Sequence, residues 1–190
     1  SSIFLFYSLC PCLKFSPKPL KYTKIIKGRK MNPKEIAEEL IIKMINAADR
    51  KQTQRVRECF ADVVFVDHSS LNGMRGALVS ADEFVTSWQQ LLEDAQTYTS
   101  LSNFELLPAQ EGISAECHAH MIYTAPGIEP WEIFGRQIFE IFRVSGEYKI
   151  TSFQFAAAVQ RGNKNFLKEL QARKKRSKLG QIYDKFSGKK

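Results

Sequence analysis

The segment "FVDHSSLNG", Phe65 to Gly73, sets a carboxylate, an imidazole and two hydroxyls side by side, the functional groups of nucleophilic hydrolysis. Its lead-in "DVVFV" is β-branched and apolar, which reads as a strand. Side chains alternate faces along a strand, so Asp67 and His68 point apart and adjacent residues cannot build a Ser-His-Asp triad. Val63, Phe65 and Asp67 share one face; Val64, Val66 and His68 share the other. Asp67, followed by Ser, Asn and Gly, suits a turn whose side chains bond their own backbone. A lone imidazole facing an interior acts as a general acid or base near neutral pH, bonds a ligand carbonyl, or satisfies a buried neighbour without chemistry.

Other residues invite a metal reading and do not sustain it. His118 and His120 in "ECHAHMIYT" fall on one strand face, but no third ligand is in view and Cys117 points the other way. Cys117, Ala119, Met121 and Tyr123 are expected toward the core or a pocket, and the histidines toward solvent or a partner sheet. The four cysteines, Cys10, Cys12, Cys59 and Cys117, show neither a disulfide framework nor zinc-ligand spacing. They suit a reducing, cytoplasmic setting with no metal. Trp88 and Trp131 are core residues by default, yet as aromatic walls they would suit a flat hydrophobic ligand.

These residues need a scaffold, and 190 residues at 44% apolar content suffice for one core with appendages. The net charge of +8 is unevenly spread. Residues 1–30 hold seven Lys or Arg and no acid, and residues 161–190 hold eleven against two acids, so the segment between is net acidic. A body of that sign lacks the positive surface that phosphate recognition needs, leaving only weak nucleic-acid contact through the tails, for example by "ARKKRSK" (Ala172 to Lys178). The apolar run near the start is too short to span a membrane. Residues 1–30 are expected to be a non-globular extension, with Met31 as the natural start, residues 31–165 the domain, and residues 166–190 a solvated basic tail.

Periodicity gives the elements. Asn32 to Arg50 reads as a helix, with Asn32 as N-cap, Pro33 in the first turn, Glu35 at capping-box spacing and Ile36, Leu40, Met44 and Ala47 on one face. A short helix near 53–60, the strand of "DVVFVDHSS" and a helix over "SADEFVTSWQQLLEDA" follow. Further strands are expected near 101–108, 113–124, 134–145 and 148–159. Helices first and strands afterwards argue an α+β fold, an antiparallel-rich mixed sheet packed against about three N-terminal helices around a pocket.

That order, with "FVDHSSLNG", "SADEFVTSW", "SNFELL" and "GEYKITSFQFAAAVQRGN", resembles the SnoaL-like branch of the nuclear transport factor 2 superfamily. Scytalone dehydratase, ketosteroid isomerase, bile-acid 7α-dehydratase and polyketide cyclases share its cone-shaped scaffold, which also serves carriers and adaptors. The resemblance spans residues 32–165 and places Val64, Val66 and His68 inside. His68 then takes the position of a pocket tyrosine, Thr99 and Tyr123 those of pocket histidines, Gln137 that of an asparagine and Met44 that of a first-helix tyrosine. Asp49 matches an acid at the mouth of the first helix. The resemblance implies cofactor-independent acid–base chemistry on a hydrophobic or ring-shaped molecule, with His68 or Asp49 as proton carrier and Tyr123 and Gln137 orienting a carbonyl or hydroxyl. A ligand carrier, or a homodimer paired through His118, His120 and Phe139, is the non-catalytic alternative.

Overall fold

A computed structural model describes residues 32–109 and 112–175. The extension expected over residues 1–30, and the part of the basic segment beyond 175, lie outside the described residues.

Helix α1 (Pro33–Asp49) starts at the capping box anticipated from "NPKE": Asn32 Oδ1 accepts the Glu35 N–H at 3.0 Å, and Glu35 Oε2 accepts the Asn32 N–H at 3.2 Å. Helix α2 (Thr53–Cys59) leads into β1 (Phe60–Asp67), where Val64 is fully buried beside the exposed Val63. The single turn α3 (Ser69–Asn72) and the short strand β2 (Ala77–Ser80), neither anticipated, precede α4 (Ala81–Leu91). Four long strands follow: β3 (Gln96–Pro108), β4 (Gly112–Ala125), β5 (Ile128–Val144) and β6 (Glu147–Gly162). Strand β3 starts at Gln96 rather than near 101, because "QTYT" continues its pairing with β4.

The six strands make one curved mixed sheet in the order β2-β1-β6-β5-β4-β3, with only β1 and β6 parallel. This α+β layering is the one expected. Helices α1, α2 and α4 cover its concave face. Beneath them one packed cluster joins Ile41 and Met44 of α1 to Cys117, Phe139 and Ile141 of the sheet. A second gathers Met121, Trp131, Ile133 and Phe155 with Phe166 and Leu170, and Trp88 touches both.

The second cluster corrects the boundary expected at residue 165. Residues 166–175 form a helix, α5, whose Phe166 and Leu170 are 0% and 1% exposed. The sequence "NFLKEL" sets those two residues four apart, on one helical face. Gly162 aims α5 at the sheet. Its φ is +72°, and a Cβ there would sit 2.1 Å from the Pro130 carbonyl oxygen, so only glycine fits. Next to it, Asn163 Oδ1 accepts the Asn165 N–H at 2.9 Å and so shapes the turn into the helix. The start of the basic run is also held: Arg173 donates to the carbonyls of Pro126 and Gly127, and Lys174 to that of Gln90.

Candidate functional site

Between the two clusters lies a cavity of about 650 Å³, within the range that small-molecule pockets occupy. His68, Asp49, Tyr123, Gln137, Trp88, Thr99 and Trp131 all line it. Met44 does not. It is fully buried one helical turn before Ala48, in the packed half of the interior, so the pocket position expected for it is corrected to a core position.

The "VDHSS" segment divides by face as alternation requires. Asp67 Oδ1 accepts the Ser69 N–H at 2.8 Å, and that bond chiefly holds its carboxyl below the usual range. Ser70 donates to the Phe155 carbonyl at 2.6 Å and accepts the Ala157 N–H at 3.0 Å, locking α3 onto β6. His68, on the face of Val64 and Val66, is the segment's polar side chain that turns inward. Its ring meets Phe153 edge-on, centroids 5.2 Å apart at 90°, and Phe84 at 6.4 Å. Its Nε2 is buried without a hydrogen-bond partner among the described residues.

Burial lowers the His68 pKa, and the Asp67 carboxylate opposes this more weakly. A base whose folded pKa is depressed binds its proton more readily when unfolded. Its contribution to stability is therefore complete above the unfolded value of about 6.5 and is lost as pH falls through the lower folded value. Chemical denaturation between pH 8 and pH 5 should show stability falling on the acid side, and His68→Gln should flatten part of that fall. An unchanged slope would show that His68 is not the group responsible.

Asp49, at the last position of α1, is fixed from β3. Thr97 Oγ1 donates to Oδ1 at 2.8 Å, the Thr99 N–H to Oδ2 at 2.8 Å, and Thr99 Oγ1 to Oδ1 at 3.3 Å. Thr97 thus belongs to the site, although the resemblance pointed only to Thr99. Tyr123 is near enough to feel the Asp49 charge, and burial first, then that charge, pushes its phenol pKa up. The phenol therefore stays protonated and can donate. Its hydroxyl lies 3.6 Å from Met121 Sδ, and the Gln137 side-chain amide also reaches that sulfur, at 3.8 Å. Gln137 is 1% exposed, and its Oε1 has no partner among the described residues.

Apolar walls complete the cavity. Phe84, Trp88 and Phe153 form one aromatic side, with Trp88 and Phe153 centroids 5.9 Å apart. Trp131 lies 5.3 Å from the Tyr123 ring and donates its indole N–H to Gln160 Oε1 at 3.2 Å. Met121 on β4, expected toward the core or a pocket, lines the wall, and so do Phe153 and Phe155 on β6, which sequence reasoning missed. The signal for the two phenylalanines was the alternation of "TSFQF".

His118 and His120 lie on the opposite, outer face of the sheet. His120 stacks on Phe134 at 4.2 Å, its Nε2 is 3.9 Å from Glu132 Oε2, and His118 Nδ1 is 3.1 Å from Asn103 Nδ2. Phe139, expected on that face, is corrected to the core: it is fully buried and stacked on Phe153 at 5.3 Å, the inward step of β5 alternation. Among the described residues no three His, Cys, Asp or Glu gather as a metal group, and no helix is long and apolar enough to cross a membrane. Burial pushes the Cys117 thiol up to about 12, so it is a poor nucleophile.

A curved, unclosed sheet folded over helices around an apolar cavity is the architecture of the nuclear transport factor 2-like proteins. Residues 34–154 match the model of the SnoaL-like domain, and the chain belongs to that family. Among solved structures it is similar to the Kfla4162 protein from Kribbella flavida, at 17% identity and TM-score 0.67 over 72% of this chain and 97% of that one. A proposed scytalone dehydratase from Novosphingobium aromaticivorans matches at 12% identity and TM-score 0.58, over 67% of this chain and 85% of its own. A hexachlorocyclohexane dehydrochlorinase (LinA, type 2) matches at 13% identity and TM-score 0.58, over 68% and 87%. These identities establish the fold alone. No curated protein sequence matches the chain.

Proposed function

We propose that this protein binds a hydrophobic, ring-bearing molecule and moves a proton on it, as a cofactor-independent lyase or isomerase. The observation that carries this reading is the pairing of a fixed carboxylate with unsatisfied polar groups inside an aromatic cavity. Asp49 is held by three donors, while His68 Nε2 and Gln137 Oε1 have no partner among the described residues. The kinship with a proposed dehydratase and a dehydrochlorinase agrees with it.

In this reading Asp49 takes a proton from a carbon beside a ligand carbonyl. The C–H electron pair passes onto the carbonyl oxygen, and the Tyr123 hydroxyl donates to the charge that develops there. The Asp49 carboxyl then returns the same proton, to another carbon in an isomerisation or to a departing hydroxyl in a dehydration, so the enzyme ends as it began. His68, its charged form disfavoured by burial, orients the ligand by hydrogen bonding and does not change charge; Gln137 accepts from a ligand hydroxyl. The test is solvent deuterium uptake. A panel of cyclic and aryl ketones incubated with the protein in D2O should show enzyme-dependent exchange at the α-carbon by NMR. Exchange no faster than buffer for every ketone that binds would leave a carrier and not a catalyst.

A second reading, a homodimer joined through the sheet, is favoured by the outer face. There Tyr98 is 64% and Val159 50% exposed, beside the stacked His120 and Phe134. Sedimentation equilibrium should give twice the chain mass, reduced to the single chain by Val159→Asp; a monomer at high micromolar concentration removes this reading.

A further inference from the structure

Helix α5 and the turn before it carry cations on two faces, and among the described residues only one face has partners. Arg173 and Lys174 reach the rim of the fold and are bonded there, Arg173 by the carbonyls of the β4–β5 turn and Lys174 by α4, with Glu93 Oε2 at 3.3 Å. Lys164, in the turn before the helix, lines the cavity together with Leu167, Lys168 and Gln171 of the helix. Neither Lys164 nor Lys168 makes a hydrogen bond or ion pair with any described residue. Glu169, the neighbouring acid, is engaged by the Asn163 amide at 3.0 Å. Among the described residues the cavity's single acidic wall residue is Asp49, already held by Thr97 and Thr99.

We infer that the ligand is an amphiphilic anion: an apolar, ring-bearing body in the aromatic cavity and one terminal carboxylate, sulfonate or phosphate at Lys164 and Lys168. This rests on the reading of the cavity as a binding site for an apolar molecule and adds the charge and its direction. Lined by an ammonium group in the turn before α5, another on α5 and one carboxylate on α1, the cavity sorts a charged ligand by orientation. The anionic end is drawn to the lysines and repelled by Asp49, which leaves the neutral end for Asp49, Tyr123 and His68. Lys168, beyond the segment first read as the domain, thereby helps set which way the ligand enters.

Two fluorescent probes that differ by one sulfonate separate the terms: neutral N-phenyl-1-naphthylamine and anionic 1-anilinonaphthalene-8-sulfonate. The full chain is compared with the double variant Lys164→Gln, Lys168→Gln. Both lysines are exposed, so the variant should melt as the parent does. The anionic probe should bind about tenfold more weakly to the variant, and its affinity should depend less on salt, while the neutral probe changes less than twofold. An anionic probe that binds both proteins equally, or a parallel loss of both probes, overturns the role of the lysines and leaves the apolar cavity standing. Failure of the neutral probe to bind the parent protein removes the cavity reading, and this inference with it.

Discussion

Asp49→Asn should lower turnover by about a thousandfold while leaving the fold in place, the largest effect expected of any polar substitution here. The change is nearly isosteric and removes only the capacity to take a proton. The site can keep its bonds: the amide oxygen can accept the Thr99 N–H, and the amide nitrogen can donate to the Thr97 hydroxyl, which accepts as well as it donates. Melting temperature and neutral-probe affinity should thus match the parent while deuterium uptake into a bound ketone falls to the buffer rate. Equal exchange rates in the two proteins would assign the proton transfer elsewhere, with His68 as the remaining candidate. Asp49→Ala is the poorer test, because it strands the donors of Thr97 and Thr99 and confounds chemistry with an unsatisfied interior.

The largest effect on stability is expected at Phe153. It is 2% exposed and touches five rings: Phe60, His68, Phe84, Trp88 and Phe139. Truncation to Ala removes the hub of that cluster beside an existing cavity, where neighbours can relax only partly, and should cost about 3–5 kcal/mol. Phe153→Leu keeps most of the volume and should cost about 1.5 kcal/mol. Urea midpoints at a constant m-value measure both. Neutral-probe affinity should fall with Phe153→Ala even under conditions where the variant is folded, because His68 loses the ring that sets its angle. A loss below 1.5 kcal/mol for Phe153→Ala would mean that the aromatic wall is not packed as described.

Strong, local signals carried the fold. The "NPKE" capping box marks the start of α1, and the alternation of "DVVFVDH" separates Asp67 from His68 without any structure in view. The inward set Cys117, Ala119 and Met121 was legible for the same reason. Helix α5 was not, because its apolar residues are few and sit among lysines and arginines, so charge density masked the spacing of Phe166, Leu167 and Leu170. Strand β2 is too short to carry a pattern. Phe139 went astray because an aromatic within a strand gives no face by itself; the β5 register against Ala115 and Phe153 decides it. Thr97 was hidden by β3 having been read as starting later, and Met44 by one helical turn along α1. Within the site, His68 owed its face to alternation and its inward sense to family resemblance, whereas the bonds on Asp49 are long-range and have no signature in sequence.

The parallel seam between β1 and β6 also governs the order in which this molecule can assemble. Strand β1 can pair with β2 as soon as residue 80 is made, yet its other edge has no partner until the segment around Phe153 arrives, Val66 facing Phe153 in the final register. Through the synthesis of three long strands, that edge remains open, with the apolar sequence "VVFV" presented beside it. The antiparallel meander from β3 to β6 is built from neighbours and should form first; docking of β1 closes a long loop and should limit the rate. Crowding of nascent chains is therefore most hazardous at "VVFV", and the short, exposed β2 guards only one of its two sides.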